Sequence, residues 1–155
     1  MQGELKIFEY RSIIPTTVDA VRAFHANPNA LSLLTPPPIS IQIVRDTRVS
    51  LTEGELEFNL WLGLVPVRWL ARHEPGPTAS SFVDRMLSGP MAVWEHQHNF
   101  RPVPSGVELI DRITLAHAAG WKGVLTRLLF DGIPLRMLFV YRHWRTGRAL
   151  RKFRS

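Results

Sequence analysis

Cysteine is absent from all 155 residues, which excludes disulfides, thiolate metal sites, iron–sulfur clusters and a thiol nucleophile. Long apolar runs are absent too. The longest stretch without Asp, Glu, Lys or Arg, residues 23–44, holds Pro28, Pro36, Pro37 and Pro38 among polar side chains, a combination foreign to a lipid-spanning helix. The sequence begins Met-Gln-Gly-Glu and passes straight into alternating residues, without the basic and apolar regions of a secretion signal, so a cytoplasmic location is expected. Neither a Gly-rich phosphate loop nor a Gly-x-Ser-x-Gly elbow occurs, which removes two common frames for phosphate binding and serine catalysis. No internal repeat is found.

What remains is an ordinary folding composition, 45% apolar and 21% charged. It predicts one domain over residues 1–155, because a chain of this length buries roughly 70% of its unfolded surface. Acids are scarce at one end. Residues 112–155 carry ten bases against Asp131 alone, so this third is about +9 while the rest is about −3. An anionic partner meets the C-terminal third first. Transient contact of the basic C-terminal helix with an anionic membrane surface is expected, since stable attachment normally needs two signals. Few aromatics interleave with those arginines, and no specific nucleic-acid binding is expected.

Alternation over Leu5–Ile14 predicts a first strand ended by Pro15. Thr16 or Thr17 then caps a helix with Val18, Val21 and Phe24 at helical spacing, and a short second helix, Asn29 to Leu34, stops before the proline run. From Ile39 to Ala116 the period is two. Six segments separated by turn residues predict an antiparallel meander, giving about seven strands in all. Beyond Gly120 the pattern is helical, with a break near Asp131–Pro134 and a long last helix from Ile133 to Lys152. Leu135, Leu138, Phe139, Ala149, Leu150 and Phe153 form its inward stripe, with Arg145, Arg148, Arg151 and Lys152 outward.

The apolar faces of four consecutive strands carry titratable interruptions. His73 follows Val67, Trp69 and Ala71; Asp84 lies between Phe82 and Met86; His96 and His98 lie between Trp94 and Phe100; Asp111 lies between Leu109 and Ile113. Short turns put His98 opposite Asp111 and His96 near Asp84, to within about one pair. A dry sheet face does not accept five such groups unpartnered, since each costs on the order of 1–3 kcal/mol or more. Three explanations are open: satisfied His–Asp pairs that orient strands, a cavity whose polar spots orient an apolar ligand, or a metal held by His96-x-His98 with His73 or a carboxylate. His-x-His alone is a weak signal, and Trp94 and Phe100 fit packing equally, so no metal and no cofactor is assigned. Arg142, on the inward side of the last helix, anchors a ligand carboxylate, pairs with a sheet acid, or snorkels to the edge.

The run Gly89-Pro90-Met91-Ala92-Val93-Trp94-Glu95-His96-Gln97-His98-Asn99-Phe100, with Leu34-Thr35-Pro36-Pro37, Phe82-Val83-Asp84, Asp111 and Tyr141-Arg142, resembles the bacterial ligand-binding SRPBCC proteins. These are the START/Bet v 1-like, polyketide cyclase/dehydrase-like superfamily. The family's usual Gly-Pro-Phe is Gly-Pro-Met here. The resemblance covers essentially the whole chain and implies an α+β helix-grip fold, with a curved antiparallel sheet, two short helices after the first strand, and a long C-terminal helix over a cavity. It implies a small, mostly apolar ligand such as a lipid, isoprenoid quinone or polyketide, and carries over no catalytic residue. The expected ligand-binding residues are His73, Phe82, Asp84, Trp94, His96, His98, Phe100, Leu109, Asp111 and Arg142. The alternative is a cyclase or dehydratase using a His–Asp acid/base pair in the same cavity.

Overall fold

The computed structural model describes residues 3–151. Strand β1 (Lys6–Ile14) leads into helices α1 (Val18–Ala26) and α2 (Ala30–Leu33). Strands β2 (Ser40–Asp46), β3 (Gly54–Leu62), β4 (Val65–Pro75), β5 (Phe82–Ser88), β6 (Val93–Val103) and β7 (Gly106–Ala116) follow, then helices α3 (Trp121–Leu129) and α4 (Gly132–Arg151). All seven strands form one antiparallel sheet in the order β1-β7-β6-β5-β4-β3-β2, so the meander closes by returning its last strand against the first. Local chemistry sets these boundaries. The Thr17 hydroxyl accepts from the Ala20 amide at the start of α1, and Pro134 falls in the first turn of α4, where its missing N–H costs nothing. Lys152 and Phe153, assigned from the sequence to the last helix, lie outside the described residues.

Helix α4 lies along the concave face with Leu135, Phe139, His143, Thr146, Gly147 and Leu150 buried at helical spacing. Its inward stripe differs from the sequence expectation in the middle. There His143, Thr146 and Gly147 occupy the face, and Leu138 is only half-buried.

The core is divided in two. One half gathers Leu56, Phe58, Trp69, Trp94, Ile113, Leu115, Leu135 and Phe139; the other gathers Ile14, Val21, Phe82, Phe100, Val107, Leu109 and Leu150. Between them runs a polar layer. Along β6 the order is Trp94, His96, His98, Phe100, along β7 Leu109, Asp111, Ile113, and along α4 Phe139, His143, Leu150, so each element crosses the layer at the same height.

The β6–β7 hairpin closes tightly on the end of β1. Gly106 has a φ of +144°, and a Cβ there would stand 2.1 Å from the Ile14 carbonyl oxygen. A Gly106→Ala substitution is therefore expected to cost about 1–3 kcal/mol, read as a lowered urea midpoint with unchanged slope.

Candidate functional site

The sheet register brings the titratable groups of β5, β6 and β7 side by side. Asp84 pairs with His96 and His98 with Asp111 across the strands, the register expected from the turn lengths. The hydrogen bonds run instead on the diagonal. His96 Nε2 donates to Asp111 Oδ1 at 2.6 Å and His98 Nε2 to Asp84 Oδ2 at 2.7 Å, whereas the directly opposed contacts are 3.6 Å for His96 Nδ1 to Asp84 and 3.4 Å for His98 Nδ1 to Asp111. Strand twist offsets facing side chains, and a ring long enough to reach the diagonal neighbour takes it. The two imidazoles stack on each other with centroids 3.6 Å apart.

Asp111 is the hub of this layer. Its second oxygen accepts from His143 Nε2 at 2.5 Å, and the other nitrogen of His143 meets the Ser12 hydroxyl. One carboxylate thereby joins β6, β7 and α4, and through His143 reaches β1. Burial alone would push the Asp111 carboxyl upward, but His96 and His143 hold it well below the ordinary carboxylate range. Asp84 behaves alike: burial opposes ionisation, and the facing His96 and His98 overcome it. For His98 burial wins. Desolvation, with His96 alongside, pushes its pKa down to about 3 against the pull of Asp84 and Asp111, so the ring is neutral at pH 7.

A cavity of about 130 Å³ opens beside this layer, between the sheet, α2 and the α3–α4 junction. Its apolar wall includes Leu31, Leu34, Leu56, Phe58, Trp69, Trp94, Phe130 and Leu138. Its polar end presents His25, His73, Asp84, His96, His98 and Arg142. Arg142 enters from α4 with its guanidinium over the Phe139 ring at 5.4 Å, and pairs with no carboxylate among the described residues. Its buried Nε and the buried Nδ1 of His98 have no hydrogen-bond partner in the protein. Burial lowers the arginine's pKa, opposed by Asp111 and Asp84.

Seven of the ten expected residues thus line the cavity: His73, Phe82, Asp84, Trp94, His96, His98 and Arg142. Asp111 stands behind the wall and holds His96. Phe100 and Leu109 do not line the cavity; they pack with Val21, Phe82 and Leu150 in the second half of the core. Arg142 does not snorkel outward. Two histidines were missed. His25 lines the cavity from α1, its Nδ1 donating to the Val21 carbonyl at 2.9 Å, and His143 anchors the hub. Both carried a signal, for His25 is four residues after Val21 and His143 four after Phe139, on the buried stripes of their helices.

Asp84, His96 and His98 each offer one donor atom, all within 4.8 Å of one another. That spacing accommodates a divalent cation. Two features oppose one: His98 Nε2 is already committed to Asp84, and the Arg142 guanidinium shares the cavity.

A strongly curved sheet wrapped on a long C-terminal helix over a cavity is the helix-grip, Bet v 1-like fold, and solved structures agree. The Zhui aromatase/cyclase from a Streptomyces species superposes with a TM-score of 0.73 at 14% identity, covering 98% of each chain. Norcoclaurine synthase from Thalictrum flavum, with dopamine and hydroxybenzaldehyde bound, gives 0.68 at 10% identity over 99% of this chain and 90% of that one. A nucleoside-diphosphate sugar epimerase from Corynebacterium glutamicum gives 0.68 at 24% identity; the match covers 93% of this chain but only 29% of that longer one. No family model matches the sequence, and no curated protein matches it. At these identities the likeness establishes the fold.

Proposed function

We propose that this protein binds a compact, mostly apolar small molecule bearing a carbonyl or carboxylate oxygen, with the apolar part among Trp69, Trp94 and Phe58 and the oxygen on Arg142. The observation that carries this reading is the half-buried Arg142, which meets no carboxylate among the described residues and whose Nε has no hydrogen-bond partner in the protein, at the polar end of the cavity. A buried donor without a partner costs about 1–3 kcal/mol, which a ligand oxygen would recover. Size narrows the ligand class. A volume of about 130 Å³ is close to the roughly 150 Å³ engineered cavity that takes benzene, so a single substituted ring or a short acyl group fills it. A neighbour of the same fold, norcoclaurine synthase, holds dopamine and hydroxybenzaldehyde, single-ring compounds, which supports a ligand of this size.

A cyclase- or dehydratase-type activity is the second reading, favoured by the Asp84–His98 and Asp111–His96 pairs. Against it weighs the depressed pKa of His98, since a base near pKa 3 is a poor proton acceptor at pH 7.

The test is calorimetric titration with single-ring carboxylates and ketones, following the fluorescence of the wall tryptophans in parallel. Binding is expected, and Arg142→Met should weaken it about 10–100-fold, as loss of a charge-assisted hydrogen bond does. His98→Gln should change affinity only modestly. Absence of binding by every ring compound, or indifference to Arg142→Met, would refute the reading; turnover abolished by His98→Gln would move the conclusion to the enzyme.

A further inference from the structure

Helix α3 is built inside out. Its buried side consists of Gly123 and Thr126, while Trp121, Val124, Leu125 and Leu128, spaced i, i+3, i+4 and i+7, face outward. Trp121 is 69% and Leu128 65% exposed. Helix α4 does the same on its outer side. Ile133, Met137, Val140 and Trp144 form a second exposed stripe at helical spacing, with Ile133 75% and Met137 66% exposed. The two helices pack against each other and are joined at Phe130–Asp131. Each helix thus leaves an apolar stripe exposed that water should not be left to cover.

Apart from Asp131, every charge these two helices carry is cationic. Lys122, Arg127, Arg136, Arg148 and Arg151 are exposed on these two helices, and none pairs with a carboxylate among the described residues. Lys122 lies by the Trp121 ring and Arg148 by the Trp144 ring, at 5.9 and 5.5 Å from their centroids. Asp131, the one acid of the segment, is paired with Lys6 at 3.0 Å and His117 at 2.8 Å.

We infer that the outer face of α3 and α4 docks on an anionic phospholipid bilayer. Exposed tryptophans and aliphatics bury in the interface while the flanking lysine and arginines meet lipid phosphates, the arrangement of helices that lie on a membrane without crossing it. No helix among the described residues is long and apolar enough to cross one. The charge favours lipid over a second copy of the chain, because a self-complementary dimer through this face would set arginines against arginines with no acid to compensate. Docking also places the inner side of the same helices, where Phe130 and Leu138 line the cavity, next to the bilayer. The inference stands whether or not the cavity takes the ligand class proposed above.

The test is sedimentation of the full chain with phosphatidylcholine vesicles, with and without about one-third phosphatidylserine, at low and physiological salt. Binding is expected only with phosphatidylserine, weakening as salt rises. The double variant Leu128→Glu/Met137→Glu, altered only at exposed positions, should bind at least about tenfold more weakly. Leu64→Glu, at 94% exposure on the β3–β4 turn, should bind like the parent. Circular dichroism confirms that the variants fold. Three outcomes would each overturn the inference: failure to sediment with anionic vesicles at low salt, salt-sensitive binding indifferent to the double variant, or a stable dimer that the double variant dissolves.

Discussion

Replacing Asp111 by alanine is expected to destabilise the fold by about 3–5 kcal/mol, the range for removing one member of a buried charged network. The size follows from what is left behind. His96 and His143 both donate to this carboxylate from buried positions, and each would lose its acceptor. Glu108 on the same strand is the control: it pairs with Arg101 at the surface, and Glu108→Ala should cost no more than about 1 kcal/mol. Urea denaturation of both variants makes the comparison. A double-mutant cycle with His143→Ala should show a coupling of about 1–3 kcal/mol. A cost near that of Glu108→Ala would mean that the polar layer is incidental to the fold.

Acid should unfold the protein earlier than carboxylates alone would dictate. His25, His73 and His98 all have pKa values lowered by burial, His98 to about 3, so the folded chain leaves these rings neutral. In the unfolded chain they titrate near 6.5. Between about pH 6.5 and 3 the unfolded state therefore binds more protons, and stability rises with pH across that window. It is complete above about 6.5 and drains as pH falls toward the folded values. Asp84 and Asp111 add the same sign lower down, since carboxylates held below their ordinary range give stability that is lost below about pH 4. The expected loss between pH 7 and 4 is on the order of 3 kcal/mol, measured as a steady fall in urea midpoint. A midpoint that stays level from pH 7 to 5 would contradict the burial of neutral histidines.

Much of this architecture can be read from the chain because alternation is a local property. Period-two spacing, broken by Pro75-Gly76-Pro77, Ser88-Gly89-Pro90 and Pro104-Ser105-Gly106, places every strand from β2 to β7, and it also places His96, His98, Asp84 and Asp111 on one face. Register followed from turn length. Which partner each imidazole takes did not, because direct and diagonal acceptors differ by only about an ångström and twist decides between them. His143 shows a related gap. In the run Tyr141-Arg142-His143-Trp144 each residue is a plausible inward one, and helix rotation against the sheet selects His143 for the hub and Arg142 for the cavity, and leaves Trp144 outside.

The sequence by itself determined the order and kind of the elements, the titratable stripe, and the basic excess of the last third, since each depends on spacing along one strand or helix. Only the tertiary structure decided where the core is hollow and which apolar residues remain uncovered. Phe100 and Phe82 share a face, a chemistry and one half of the core, yet only Phe82 also edges the cavity. Trp121 and Leu128 carry the periodicity of a buried stripe and lie in the open. Periodicity reports that a face is apolar; what lies against it is a property of elements distant in the chain.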